Sequence, residues 1–286
     1  ESRADSEEEQ GAASCEQYLE RKNLLRQFLS SSLSLHHLQC HQQKIELLKK
    51  SYFYLEIEPK YVALRDESQV VHHADIFQLI NPCQFQRMKL VGRNQTEIQL
   101  SLLTDLLERL ERGREELSSY LESGDAVTFL SQWDLIMQRM SKLSEFLEKL
   151  ISFQTPGKLH VKHRLVFPFE AERRGAALPD IKLALCAKAP PVFDRQESFA
   201  HKDGAKLKWF PENQESCLEQ YELQIKLLAS PTEVGYGRVQ SITANRCVVR
   251  GLQPGRSYQF IIKRLVTHTL VFQKWHDSIT LTTKPE

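Results

Sequence analysis

The densest grouping of side chains able to do chemistry is His36, His37, Cys40 and His41. Imidazoles and a thiol are the ligands of zinc and its neighbours, and a thiolate beside an imidazole is a nucleophile. On a helix, His36 and Cys40 stand four residues apart, as do His37 and His41, so each pair shares one face. The two pairs point about 100° apart, and one helix cannot close a four-ligand site. His72 and His73 would have to arrive from another helix. Adjacent residues on a helix face different directions, which also separates Cys40 from His41 as nucleophile and base. Solvated or locally hydrogen-bonded histidines are therefore the expectation, with no catalytic residue, no metal and no cofactor assigned.

Other catalytic patterns are missing from the sequence. It holds no Gly-x-x-x-x-Gly-Lys loop, no Gly-x-Gly-x-x-Gly, no His-Glu-x-x-His and no Gly-x-Ser-x-Gly. With 11 Gly in 286 residues, few places exist to bring backbone amides onto a phosphate. The six cysteines, Cys15, Cys40, Cys83, Cys186, Cys217 and Cys247, form no Cys-x-x-Cys pair, so zinc-ribbon and thioredoxin-like readings fail on spacing. Such sparse cysteines read as free thiols in a reducing compartment. Asn94-Gln95-Thr96 matches a glycosylation acceptor, but Asn94 also reads as a helix cap.

Balanced charge, 38 Lys+Arg against 37 Asp+Glu, announces neither a nucleic-acid binder nor a membrane-surface protein. The longest apolar runs, Leu183 to Ala187 and Cys247 to Val249, fall far short of the roughly 18 residues of a membrane span. The chain opens on Glu1 rather than Met, which reads as a trimmed or processed start. Charge is not evenly spread, however. Residues 1 to 155 carry 18 bases and 24 acids, and residues 156 to 286 carry 20 bases and 13 acids. In the second half, Lys158, Lys162, Arg164, Arg173 and Arg174 cluster near the junction, and Lys202, Lys206, Lys208 and Arg238 make a candidate interaction face for an acidic partner.

The elements that must position these residues differ between the halves. Residues 1 to 13, rich in acids, read as a disordered lead-in. From 14 to 155 apolar residues repeat at helical spacing, which predicts a helical bundle. Its clearest part opens on Asn94 and Glu97, runs to Leu121, breaks at Ser123-Gly124-Asp125 and resumes to Ile151, an αα-hairpin in which Asp125 caps the second helix. Cys15 to Leu29, Leu33 to Leu55 and Gln69 to Ile80 are read as further helices, the last stopped by Asn81-Pro82 and the second interrupted at Glu58-Pro59. Residues 156 to 181 read as a linker with one strand, the alternating Lys158 to Leu165.

Beyond it, Leu183 to Ala187, Ala205 to Phe210, Tyr221 to Leu228, Arg246 to Arg250, Ser257 to Val266 and Ile279 to Thr283 read as short strands separated by turn residues, an antiparallel β-sandwich over 182 to 286. The fold class is thus α+β in two domains. Leu252-Gln253-Pro254-Gly255-Arg256-Ser257-Tyr258 resembles the turn and tyrosine corner entering strand F of a fibronectin type III domain. Trp209 resembles that family's core tryptophan on strand B, Tyr221 to Ile225 its strand C, and Ile279 to Pro285 its closing strand.

A helical region followed by one such domain is also similar to the layout of a fibronectin type III domain-containing protein of the cell interior. That resemblance implies a non-enzymatic cytoplasmic scaffold of cilia or sperm flagella. The basic face separately suits an acidic protein surface, such as that of tubulin or of this chain's own helices, and the balanced charge points to neither nucleic acid nor membrane. Two alternatives remain: a secreted or cell-surface adhesion module, which would require oxidised cysteines, and a metal-dependent enzyme, which would require the histidine cluster. Arg-Gly-Asp and the Trp-Ser-x-Trp-Ser box are absent from the sequence.

Overall fold

The computed structural model describes residues 2–65, 68, 70–154, 158–159, 181–211, 219–228, 237–265 and 267–286. Helix α1 spans Ser2–Ser30, which corrects the disordered lead-in. Glutamate is a good helix former, and Glu7, Glu8 and Glu9 lie toward the positive end of the helix dipole. Helix α2 spans Leu35–Lys50 with Lys49 and Lys50 at its negative end.

Here the expected helices give way to strands. Strand β1 is Tyr52–Glu58, and β2, Tyr61–Arg65, pairs with β3, Val71–Asp75. Aromatic and branched side chains at Tyr52, Phe53, Tyr54 and Ile57 suit a pleated surface better than a helix. Asn81-Pro82 starts a helix rather than stopping one. The Asn81 side chain accepts the Cys83 N–H at 3.0 Å, and Pro82 occupies the first turn, where its missing N–H costs nothing. Helix α3 then runs Pro82–Glu122, straight through Asn94 and Glu97. Asp125 accepts the Val127 N–H at 3.1 Å to open α4, Ala126–Ser131, and α5 follows as Trp133–Phe153.

The chain divides into two compact units, Glu1–Leu47 with Glu97–Thr155, and Leu48–Thr96 with Pro156–Glu286. In the first, α3 and α5 lie antiparallel, as the short break between them requires. The Gln99 amide bonds the Phe153 carbonyl, the Arg109 guanidinium lies 5.6 Å from the Phe146 ring centre, and Arg139 pairs with Glu116 at 3.4 Å. Gly113 lets the helices approach closely, because a Cβ there would run into the Leu143 side chain. Tyr18 of α1 meets Phe129 of α4 edge-on at 5.4 Å, and Arg114 Nε donates to the Leu33 carbonyl at 2.9 Å.

The second unit holds the strands together with residues 82–96 of α3. After β4, Lys158–Leu159, come β5, Lys182–Lys188, β6, Val192–Phe193, β7, Phe199–Ala200, and β8, Gly204–Phe210. Then follow β9, Tyr221–Leu228, β10, Gly237–Ile242, β11, Arg246–Arg250, β12, Ser257–Arg264, β13, Leu270–Phe272, and β14, Asp277–Thr282. One sheet has the order β10-β9-β12-β14 and another β11-β8-β6, with β7 also on β8. Between them Leu207, Trp209, Leu223, Val249, Phe260 and Ile262 are fully buried, each large side chain contributing about 1.5–3 kcal/mol through the water it sheds. The sandwich's first strand is in two pieces, β6 and β7. Between them the Asp194 carboxylate turns the chain by accepting from the Gln196 and Glu197 N–H groups, and the Ser198 hydroxyl replaces a ladder bond by pairing with the Lys208 N–H and carbonyl.

A third sheet was not expected. Its order is β13-β1-β5-β4, so β1, from the part of the chain read as helical, lies between two strands of the C-terminal part. Phe53 stands opposite Ala187 on one side and Phe272 on the other. Of the expected strand Lys158 to Leu165, only Lys158–Leu159 lies among the described residues.

Candidate functional site

The histidine cluster is closed by local bonds. His36 Nε2 lies 3.8 Å from Cys40 Sγ, His37 Nδ1 meets the Ser34 hydroxyl at 2.6 Å, and the Gln154 amide reaches His41 Nδ1 at 2.8 Å. Burial, with the charges of Lys44 and His37, holds the His41 imidazole below its ordinary range. His72 and His73 sit next to each other on β3, so their side chains alternate between its two faces. Among the described residues no group of three or more His, Cys, Asp or Glu could hold a metal ion. The Cys186 thiol is pushed up to about 11 by burial and by its 3.2 Å bond to the Glu56 carboxylate, the reverse of what a thiolate nucleophile needs.

The residues of the tyrosine corner and core form one network. Trp209 is fully buried, edge-on to Tyr221 at 5.5 Å and to Phe193 at 6.2 Å. The Tyr258 hydroxyl accepts the Gln253 N–H at 2.8 Å, while Leu252 enters the core and Pro254 is half-buried. Gly255 has φ +67°, a left-handed conformation that side chains resist, and its N–H donates to the Lys284 carbonyl at 3.2 Å. These contacts shape the sandwich rather than a reacting centre.

The candidate interaction residues separate into three places. Lys206 and Lys208 alternate with core residues on β8 and share the outer face of the β11-β8-β6 sheet. Lys202 is exposed in the turn between β7 and β8, which the His201 N–H closes on the Gly204 carbonyl at 2.7 Å. Arg238 does not join them. It lies on β10 of the opposite sheet, opposite the core residue Ile225, so it points inward and donates through Nη2 to the Arg250 carbonyl at 2.7 Å.

Three strands complete the outer face with residues that net charge along the chain did not single out. Arg246 stands opposite Lys208, Val248 opposite Lys206, and Arg250 opposite Gly204. Phe199 of β7 flanks Lys206 from the other side. Phe199, Phe210 and Val248 are 41%, 54% and 57% exposed, unusual for large apolar side chains placed together on one sheet. Gly204 sits where a Cβ would lie 2.5 Å from the Val249 carbonyl oxygen, so the glycine is needed for β8 and β11 to pair. The outward positions of β7, β8 and β11 carry no acid, and none of the four cations is ion-paired to another described residue. The alternation in Arg246-Cys247-Val248-Val249-Arg250 was the available signal. Of the junction bases, Lys158 lies on β4, and Lys162, Arg164, Arg173 and Arg174 lie outside the described residues.

A helical region joined to an antiparallel sandwich with a tyrosine corner and an open outer face defines a fibronectin type III-like protein. The chain belongs to a family of unknown function (DUF5581), whose N-terminal domain matches residues 11–183 and whose Fn3-like domain matches residues 188–286. It is 46% identical to fibronectin type III domain-containing protein 11 of Homo sapiens over 94% of this chain and 84% of that protein. The Bos taurus protein of the same name is also 46% identical, over 94% of this chain and 80% of its own length. Among solved structures, the FN5 domain of Drosophila Lar aligns at 14% identity over 34% of this chain and 97% of its own, with a TM-score of 0.26. The fibronectin type III domain of human fibronectin type III domain containing protein 3 aligns at 16% identity over 34% of this chain and 83% of its own, with a TM-score of 0.24. Among the described residues no helix is long and apolar enough to cross a membrane.

Proposed function

We propose that the protein is a non-enzymatic cytoplasmic scaffold that binds protein partners through the sandwich. The observation that carries this reading is the outer face of β8 and β11, where Lys206, Lys208, Arg246 and Arg250 surround exposed Val248 and no outward residue is acidic. Cations on a rigid sheet raise encounter rates with acidic surfaces, and desolvated apolar contacts then hold the complex. The acidic surface of tubulin has the right sign. Cilia and sperm flagella, dense arrays of that surface, are the proposed location. Free thiols at Cys15, Cys40, Cys83, Cys186 and Cys247 fit a reducing compartment better than an adhesion module outside the cell.

Microtubule co-sedimentation of the full chain, alongside proximity labelling in ciliated or germ cells, tests the proposal. Charge reversal by Lys206→Glu with Lys208→Glu is expected to abolish co-sedimentation at physiological salt while the thermal midpoint stays unchanged. Undiminished co-sedimentation by that folded variant would remove the tubulin reading. Labelling confined to secretory or extracellular proteins would remove the scaffold reading as a whole.

A further inference from the structure

Among the described residues, the other clusters of reactive or charged groups are closed on themselves. His36 faces Cys40, Cys186 is bonded to Glu56, Arg195 grips Asp277 at 3.0 Å, and Arg264 is paired with Glu219. The outer face of β8 and β11 differs in that, among the described residues, its cations have no counter-ion and its apolar side chains stay 41–57% exposed. That face also carries a pattern. Along β11, Arg246, Val248 and Arg250 stand at i, i+2 and i+4, so a cation, an apolar side chain and a cation follow one another on one side of the strand.

We propose that this face takes an extended segment of a protein partner that carries an acid, an apolar residue and an acid at alternate positions. The inference rests on the reading of the face as a docking surface and adds what the partner must look like. A strand advances about 6.7 Å for every two residues, so the two guanidinium-bearing positions are roughly 13 Å apart. An extended partner advances by the same step, which places its two carboxylates over Arg246 and Arg250 and its apolar residue over Val248. A helix advances only about 5.4 Å per turn and falls behind by some 2–3 Å over the same two steps. Arginine suits the outer positions because its planar fork takes a carboxylate through two parallel N–H groups. Lys208 stands directly opposite Arg246, and Lys206 opposite Val248, so β8 adds charge beside the first carboxylate and a methylene stem beside the apolar contact. A uniformly acidic partner would satisfy the charges and leave Val248 uncovered.

Anisotropy titration of the full chain with labelled synthetic peptides tests the pattern. One peptide carries Glu-Ser-Leu-Ser-Glu, a second the same residues as Glu-Glu-Leu-Ser-Ser, and a third Glu-Ser-Ser-Ser-Glu. The first is expected to bind about tenfold more tightly than either of the others, and to weaken as salt rises. Arg246→Glu with Arg250→Glu is expected to remove that binding. Val248→Thr, which keeps a strand-forming residue, is expected to cost about fivefold toward the leucine peptide and nothing toward the serine peptide. An unchanged tryptophan emission spectrum and thermal midpoint identify folded variants. Equal binding of all three peptides, or of the folded variants, would overturn the inference. If that happens while Lys206→Glu with Lys208→Glu still abolishes microtubule co-sedimentation, the scaffold reading survives without the pattern. Patterned peptide binding without co-sedimentation leaves the pattern standing and removes tubulin.

Discussion

Arg264 and Glu219 form an ion pair at 2.6 Å between side chains only 7% and 15% exposed. The guanidinium also donates to the Ala189 carbonyl at 2.9 Å, and the carboxylate accepts the Tyr221 hydroxyl at 2.7 Å. The pair therefore ties the end of β12 to the start of β9 and to the stretch that follows β5.

Removing one member of such a pair leaves a buried charge without its partner. Arg264→Met is expected to destabilise the fold by about 3–5 kcal/mol, whereas Arg264→Met combined with Glu219→Leu should recover most of that loss. Urea unfolding of the single and double variants checks it. A single variant within ordinary surface-substitution range would show that water reaches the pair.

The same group sets a pH dependence. Burial alone would push the Glu219 carboxyl up, but the Tyr221 hydroxyl, the Arg264 guanidinium and Lys188 outweigh it and hold the group below its ordinary value of 4.5. Because the folded-state value lies below the unfolded one, this contribution is fully present above about pH 4.5. It fades as the pH falls through that value toward the folded one. Glu219→Gln should flatten that part of the stability profile, measured as thermal midpoint against pH.

Strand β1 makes the third sheet depend on the N-terminal half of the chain. A fragment starting at residue 181 would expose facing edges on β5 and β13, and unpaired edges recruit other chains. The full chain keeps the middle strand. The fragment is expected to be polydisperse in light scattering and the full chain monodisperse. In the full chain, Phe53→Ala should cost about 3–5 kcal/mol, since Phe53 is 1% exposed and packs edge-on against Phe272 at 5.8 Å. Equal behaviour of the fragment and the full chain would mean that β5 and β13 need no middle strand.

How far the sequence showed this depended on the range of the interactions involved. The sandwich strands and the αα-hairpin were legible because alternation, turn residues and the Asp125 cap are local signals. The sheet that joins Phe53 to Ala187 and Phe272 was not, because the partners lie 134 and 219 residues apart and leave no local trace. Asn81-Pro82 is ambiguous in isolation, since the same dipeptide can end one helix or begin the next. At the interaction face, Lys206 and Lys208 share a strand and could be paired by alternation alone. Arg246 and Arg250 joined them only through strand register, and the same register turned Arg238 away.

That inward turn gives Arg238 a different role from the one its charge suggests. β10 is the edge of its sheet, and its row of outward N–H and C=O groups could pair with another chain. Arg238 and Gln240 stand opposite the buried core residues Ile225 and Leu223, so both polar side chains point toward the sandwich interior at that edge. An incoming strand would bury the guanidinium further and compete with its bond to the Arg250 carbonyl. Charges pointing inward on an edge strand oppose edge-to-edge association for this reason. Arg238→Val is thus expected to keep the fold, at a cost of about 1 kcal/mol for the lost hydrogen bond, and to promote self-association. Sedimentation velocity over a concentration series reads that outcome. If Arg238→Val combined with Gln240→Val still sediments as wild type at every concentration, the edge is guarded by something other than these two side chains.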